Sequence, residues 1–249
     1  MRSMAGLAQG LVLPCVGWWI AFRGKRVLIP WSTAGLPKYA PHSFLKRTRD
    51  ASRLSVSNED CCDLIFWTHP PNFNAMSLLI DAATGFTGAV AVGLDCGLQE
   101  MGGENWVISA GPFGRGARSE AGPHYAPEAS FPSQAIARVD ISGYINPSRL
   151  RENLQQQIRE PIARSKGAAA FSFLFGDVSN KFVTCSGLIG KAILRQEETP
   201  LGWALRKALQ ERLGRAGVTP ADLARAAAIL GLAPRGSAMP IQVCRLGLE

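Results

Sequence analysis

The chain has 249 residues, of which 47% are apolar and 18% charged, so it can bury a core as one large domain or two small ones. This composition excludes a mainly disordered, collagen-like or coiled-coil chain, and no apolar run reaches the roughly 18 residues that a transmembrane span needs. The net charge of +8 permits an anionic partner. Because no recognition motif accompanies the charge, the sequence does not favour a nucleic-acid-binding protein.

Residues 1–56 are predicted to form an N-terminal extension that is partly irregular. The apolar stretch 11–22 is long enough for the core of a signal peptide, but its basic residues follow it instead of preceding it. The alternative is a buried strand. Pro30, Pro37 and Pro41 interrupt regular structure over 24–57. These features leave the localisation open between the cytoplasm and the cell envelope.

Strands dominate the next part of the chain. Short apolar runs predict strands at 63–67, 88–94, 106–110 and 135–141. One or two helical turns are predicted at 76–83. Residues 111–133 contain many Gly and Pro and are predicted to form a long surface loop.

Helices dominate the last part. Asn146 and Pro147 open an amphipathic helix that ends near Pro161, and further helices are predicted from Cys185, over 201–213 and from the Thr219 cap to Gly231. A short strand is predicted near 241–244. Strands followed by helices indicate an α+β fold.

The cysteines and histidines do not form a metal-binding pattern. The six cysteines contain no CxxC pair and are irregularly spaced, and only His42, His69 and His124 are present. We therefore expect no metal, no cofactor and no disulfide framework.

Cys185 is the residue with the strongest chemical signal. The order Thr184-Cys185-Ser186 places its thiol at the start of a predicted helix, where unpaired backbone N–H groups and the helix dipole favour a thiolate. The same N–H groups could stabilise an oxyanion. The alternative is a buried structural cysteine, since free cysteine is among the most buried residue types.

Several segments in order resemble one family. They are residues 63–66 (DLIF), 85–91 (GFTGAVA), 107–110 (VISA), 184–189 (TCSGLI) and 218–224 (VTPADLA). This order is similar to that of the circularly permuted branch of the NlpC/P60 papain-like cysteine peptidases and amidases, over residues 57–230. The resemblance implies a permuted papain-like domain over 57–249, with a small antiparallel sheet or barrel packed on helices, and Cys185 as nucleophile.

Two positions depart from the family pattern. The family's catalytic histidine would align with Gly88, and its acidic residue with Ser109. If strands 63–67 and 88–94 pair antiparallel, His69 lies close to the space that a histidine side chain at position 88 would occupy, and it could serve as the base. His124 in the 111–133 loop is a second candidate, whereas His42 lies outside the resemblance.

Three functions remain open from the sequence. The resemblance implies a thiol hydrolase or acyltransferase that acts on an amide or ester, such as a peptidoglycan peptide, another amide or a lipid, with Cys185 and His69 as catalytic pair. The second is a catalytically inactive papain-like protein that serves as a binding or structural subunit for a protein partner. The third is a basic anion-binding protein, whose positive residues are dispersed along the chain.

Overall fold

A computed structural model describes residues 25–32, 36, 48, 50–68, 88–89, 91–111, 122–128, 135–159, 184–211 and 217–245. Within these ranges seven strands precede the α-helices in the chain, and one strand follows them. The strands are β1 (Lys25–Leu28), β2 (Leu54–Val56), β3 (Asp63–Trp67), β4 (Ala91–Glu100), β5 (Asn105–Gly111), β6 (Gly122–Pro127), β7 (Ala135–Asp140) and β8 (Gln242–Arg245). The α-helices are α1 (Pro147–Arg159), α2 (Cys185–Leu194), α3 (Pro200–Gln210) and α4 (Pro220–Ile229).

The central element is an antiparallel sheet in the order β6-β5-β4-β3-β7, with β2 added alongside the second half of β4. β4 pairs with β3 along its first half and with β2 along its second half, and a bulge lies between the two paired stretches. There the pairing with β5 shifts between Asp95 and Leu98, and Gly97 has a φ of +69°, which favours glycine. The Asp95 carboxylate accepts a hydrogen bond of 2.8 Å from the Gly97 N–H and so fixes the bend.

Side chains alternate between the two faces of this sheet. Leu64 and Phe66 of β3 point to the helical side and share a buried apolar cluster with residues of α1, α2, α3 and α4. Ile65 and Trp67 point to the opposite side. A Cβ at Gly93 would lie 2.6 Å from the Trp67 ring, so glycine makes room for the indole there. The cluster on this second face consists of Ile65, Trp67, Val107, Ala126 and Ala135.

The helices begin where short polar side chains can cap them. Asn146 accepts a hydrogen bond of 3.0 Å from the Arg149 N–H at the start of α1. Thr199 caps α3, and Thr219 with Asp222 forms a capping box at α4. Each of these three helices has a proline in its first turn, where the missing N–H costs no hydrogen bond.

Both outer edges of the sheet receive backbone hydrogen bonds from other segments. On β7, the Ser32 N–H donates to the Ile136 carbonyl at 2.8 Å, and the Arg235 N–H donates to the Arg138 carbonyl at 2.7 Å. On β6, Thr48 forms an isolated bridge with Tyr125. β1 and β8 pair antiparallel as a separate two-stranded sheet. Covered edges of this kind are not open templates for a foreign strand.

Most sequence predictions for these ranges are confirmed. The structure is mixed α+β with antiparallel sheets, and the four predicted helices and the strands of β3, β5, β7 and β8 lie within a few residues of their predicted positions. β4 begins later than predicted and continues to Glu100. Of the described helices, none is long and apolar enough to cross a membrane.

Two predictions are wrong. The predicted loop 111–133 contains β6, and the irregular stretch 24–57 contains β1 and β2. Gly and Pro lowered the strand signal at β6, but pairing with β5 stabilises it along six residue pairs. The apolar stretch 11–22 and the helical turns predicted at 76–83 lie outside the described residues.

Candidate functional site

Cys185 is the first residue of α2, as the sequence predicts. Thr184 is the N-cap, and its side chain accepts a hydrogen bond of 2.8 Å from the Gly187 N–H. The Cys185 side chain is 5% exposed and lies where the start of α2 packs against the sheet. The helix start therefore presents the thiol to the interior and to the sheet.

Burial and nearby backbone N–H groups act on the pKa of the Cys185 thiol in opposite directions. Burial raises the pKa of this thiol above its ordinary value, because the charged form loses its hydration. The neighbouring backbone N–H groups of Val92, Ser186 and Cys185 act in the opposite direction, because they favour the thiolate. Burial is the larger effect. The thiol is consequently held protonated at neutral pH, in surroundings that would stabilise an anion once a base removed the proton.

The start of α2 is fixed to the segment before α4. The Ser186 hydroxyl donates a 2.7 Å hydrogen bond to the Val218 carbonyl. Gly190, one turn further, allows the Val218 side chain to approach, since a Cβ at position 190 would lie 2.6 Å from it. These contacts hold the residue next to Cys185 in place.

Gly88 adopts a backbone conformation that suits glycine. Its φ is +76°, in the left-handed region that L side chains rarely adopt. A side chain at position 88 would also start near the Trp31 indole, whose Nε1 lies 3.9 Å from the Cβ position. A histidine would therefore be strained at this position.

The strand pairing behind the His69 hypothesis is confirmed. β3 and β4 pair antiparallel with Trp67 opposite Ala91, so the end of β3 lies beside the start of β4. His69 follows β3 by two residues but lies outside the described residues, as does His42. The role of His69 stays a prediction.

His124 lies on the other face of the sheet from Cys185. It is paired with Ser109, and the next pair on the same face is Val107 with Ala126, in the cluster opposite the helices. Cys185 belongs to the cluster on the helical side. The His124 Nδ1 lies 2.8 Å from the Gly122 carbonyl oxygen, to which it donates. The structure does not bring His124 and Cys185 together.

A buried cluster of charges lies on the same face as His124. Arg138 of β7 donates to Asp63 of β3 at 3.3 Å, to Asp95 of β4 at 3.1 Å and to Glu128 directly after β6. These four side chains are almost completely buried. Arg235 adds a second guanidinium, 2.9 Å from Asp63. Arg138 of β7 thus connects β3, β4 and the residue after β6.

Burial is the main influence on the pKa of two of these carboxyl groups, those of Asp63 and Glu128. It raises the pKa of Asp63 and of Glu128 even though Arg138 acts on both in the opposite direction. At the rim of the cluster, burial opposes ionisation of Asp140 as well. There a hydrogen bond from the Ser142 N–H and the ion pair with Arg235 outweigh burial and lower the Asp140 pKa.

Cys61, Asp63 and Asp95 place ligand atoms within 4.8 Å of one another. Burial raises the pKa of the Cys61 thiol to about 12, and the Asp95 and Asp63 charges add to the effect. The Asp63 and Asp95 oxygens, however, already accept hydrogen bonds from Arg138, Arg235 and the Gly97 N–H. A cation could bind only by displacing a guanidinium, so we interpret the cluster as an ion-pair network.

The sequence pattern does not predict this network. Its signal was a charged residue inside each of three otherwise apolar strand segments, at positions 63, 95 and 138. Strand order alone decides that these positions meet, and strand order could not be read from the pattern.

Comparison with known proteins finds no matching family model, no matching curated protein and no matching solved structure.

Proposed function

We propose that this protein is a papain-like thiol hydrolase or acyltransferase of the permuted NlpC/P60 type, with Cys185 as the nucleophile. The observation that carries the proposal is the position of Cys185 as the first residue of α2, directly after the Thr184 cap, where the backbone N–H groups of the helix start lie. Such donors stabilise a thiolate before the reaction and could stabilise an oxyanion during it. The substrate would contain an amide or ester bond, as in a peptidoglycan peptide, another amide or a lipid.

The arrangement of elements supports the same proposal. The resemblance places the nucleophile at the start of a helix that packs on an antiparallel sheet, after the strands in chain order. Here α2 follows all six strands of the central sheet and packs its buried residues Leu188 and Ile189 into the cluster on the helical face. The β3–β4 pairing places Trp67, the last residue of β3, opposite Ala91 at the start of β4.

The raised pKa of Cys185 makes a general base necessary. In the proposed reaction His69 takes the thiol proton as the sulfur attacks the carbonyl carbon, and the carbonyl oxygen becomes an oxyanion held by backbone N–H groups. The tetrahedral intermediate collapses to a thioester, and the leaving amine or alcohol takes the proton from the imidazolium. Water then hydrolyses the thioester, or a second nucleophile accepts the acyl group.

The test is acylation of the thiol by a small activated ester, p-nitrophenyl acetate. Release of p-nitrophenol gives the rate, and peptide-resolved mass spectrometry locates the acetyl group. We expect acetylation at Cys185 and no adduct at that position in Cys185→Ala. In His69→Ala we expect the rate to fall by at least about 100-fold, as for the loss of a general base. His42→Ala is the matched control and should react like the wild type. Equal rates in His69→Ala and wild type would refute the catalytic pair.

A second candidate function is a non-catalytic binding or structural subunit. It is favoured by the left-handed backbone at Gly88 and by the raised pKa of the Cys185 thiol. In that case Cys185 is a structural cysteine, and the partner is another protein. Alkylation by iodoacetamide without any ester turnover would select this function over the first.

A further inference from the structure

Cys62 and Cys96 lie opposite each other on neighbouring strands. The register of β3 with β4 ends at Asp63 opposite Asp95, and one further step along both strands places Cys62 opposite Cys96. Both cysteines are completely buried, and both belong to the apolar cluster on the helical face of the sheet. Their side chains therefore leave the sheet on the same side, from facing positions.

The backbone hydrogen bonds of Cys62 show which kind of pair this is. Its carbonyl accepts a 2.9 Å hydrogen bond from the Ile141 N–H, directly after β7, and its own N–H donates to the Ser142 hydroxyl at 3.0 Å. Both groups thus point toward the β7 side of β3 and away from β4. In an antiparallel sheet this makes Cys62 and Cys96 a non-hydrogen-bonded pair, the kind in which side chains lie closest and Cα atoms are about 4.5 Å apart.

This separation suits a disulfide. The Cα atoms of disulfide-bonded cysteines are usually about 4.4–6.8 Å apart, and both Cys62 and Cys96 are free thiols in this structure. The neighbouring Cys96 thiol, together with burial, raises the pKa of the Cys62 thiol, as expected for two sulfur atoms that share an apolar interior. The pair can therefore be joined without moving the two strands.

We propose that Cys62 and Cys96 are the site of a redox-dependent cross-strand disulfide, formed by exchange with a small external disulfide of the glutathione class. The Cys62 thiolate attacks the external disulfide, forms a mixed disulfide and releases one glutathione thiolate. The Cys96 thiolate then attacks the Cys62 sulfur, forms the protein disulfide and releases the second glutathione. The two thiol protons end on the two glutathione molecules, and two electrons pass from the protein to the external disulfide.

Cys61 is the competing thiol, and its position excludes it from this bond. It directly precedes Cys62 in the chain and is only partly buried. Its sulfur lies within 4.8 Å of carboxylate oxygens of Asp63 and Asp95, on the face of the sheet opposite Cys96. A variant at position 61 therefore removes a neighbouring thiol without touching the proposed pair.

The burial of both thiols determines when they react. The segment before Cys62 packs against the residue after Cys96, since the Ser57 N–H donates to the Gly97 carbonyl at 2.8 Å and the Asn58 carbonyl would meet a Cβ at Gly97. We therefore expect exchange while the chain folds, before this segment closes. The bond then restricts the unfolded chain and stabilises the fold. None of this depends on the reaction of Cys185.

The experiment refolds the full chain from urea, by dilution into excess glutathione disulfide or into a reducing buffer. N-ethylmaleimide blocks the remaining thiols, and chymotrypsin, which cleaves after Phe86, separates Cys62 from Cys96 for mass spectrometry. We expect the two peptides to be cross-linked after oxidative refolding and both thiols to be alkylated after reductive refolding. The melting temperature, followed by circular dichroism, should be about 5–10 °C higher for the oxidised protein.

Cys61→Ser is the matched control and should keep both the cross-link and the temperature difference, whereas Cys62→Ala should lose both. A wild-type protein that folds in excess glutathione disulfide with both thiols alkylated would overturn the proposal. So would a Cys96 cross-link that is lost in Cys61→Ser, or a cross-linked protein that melts no higher than the reduced one. Mapping of the wild type and Cys61→Ser changes no core residue, so it decides the question even if Cys62→Ala does not fold.

Discussion

Replacing Arg138 with methionine tests the buried ion-pair network. Arg138 donates to three buried carboxylates, those of Asp63, Asp95 and Glu128. Methionine fills a similar length of space without charge or donors. The substitution therefore removes the shared counter-charge and leaves the three acidic groups in the interior.

The remaining hydrogen bonds of the three carboxylates indicate which of them is destabilised most when Arg138 is removed. Asp63 keeps a hydrogen bond of 2.9 Å from Arg235, and Asp95 keeps one of 2.8 Å from the Gly97 N–H. Glu128 loses most, because its other oxygen, Oε1, has no hydrogen-bond partner among the described residues. We expect the free energy of unfolding to fall by about 3–5 kcal/mol at pH 8, the usual cost of removing one partner from a buried ion pair.

The loss should depend on pH. Burial raises the pKa of Asp63 and Glu128 in the native protein, and without Arg138 these pKa values rise further. A carboxyl group with a higher pKa in the folded chain holds its proton more tightly there. The stability it contributes is complete below the unfolded pKa and is lost as the pH rises through the folded pKa. The cost of Arg138→Met is therefore smaller at pH 5 than at pH 8.

Urea unfolding followed by circular dichroism at pH 5, 6.5 and 8 measures both effects. Arg149→Met is the control, because Arg149 and its partner Glu198 are both more than half exposed and such pairs contribute about 0–1 kcal/mol. A cost below about 1 kcal/mol for Arg138→Met at pH 8 would contradict the reasoning, since it would make the buried network equivalent to a surface pair. So would a cost that is the same at pH 5 and pH 8.

Three further substitutions probe the local structure. Gly97→Ala should lower the free energy of unfolding by about 2–3 kcal/mol, because its φ is +69° and its Cβ would press on the Asn58 carbonyl. Gly231→Ala has nearly the same φ, +68°, with open space around the Cβ, and should cost only about 1 kcal/mol; equal losses in urea unfolding would exclude the Asn58 contact as the cause. Thr219→Ala removes the α4 capping box and should cost about 1–2 kcal/mol by the same measurement, and wild-type stability would show that the cap contributes nothing.

The elements that the sequence predicts best are those whose signal is local. The Thr219 cap, the proline after it and the apolar run that follows specify α4 within its own residues. β3 is likewise indicated locally, because Leu64 to Trp67 is a short apolar run with Pro70 three residues beyond it. β6 carries glycine and two prolines in six residues, and it is a strand because β5 pairs along its length. Tertiary pairing outweighs local preference there.

The candidate site likewise has features that the sequence predicts and features that it does not. The position of Cys185 at a helix start follows from Thr184 and the apolar residues after Ser186, and the sequence alone indicates it. The burial that raises the pKa of Cys185 depends on how α2 packs against the sheet, which no motif encodes.

The hydrogen bonds that cover the β7 edge have a consequence for aggregation. Ser32 lies shortly after β1, and Arg235 lies shortly before β8, so both covering segments adjoin the two-stranded sheet formed by these strands. Separation of β1 from β8 would release both segments while the central sheet stayed folded. The bared β7 edge could then pair with the same edge of a second molecule. Resistance to self-association under mild heating should thus depend on the pairing of β1 with β8 more than on the stability of the core.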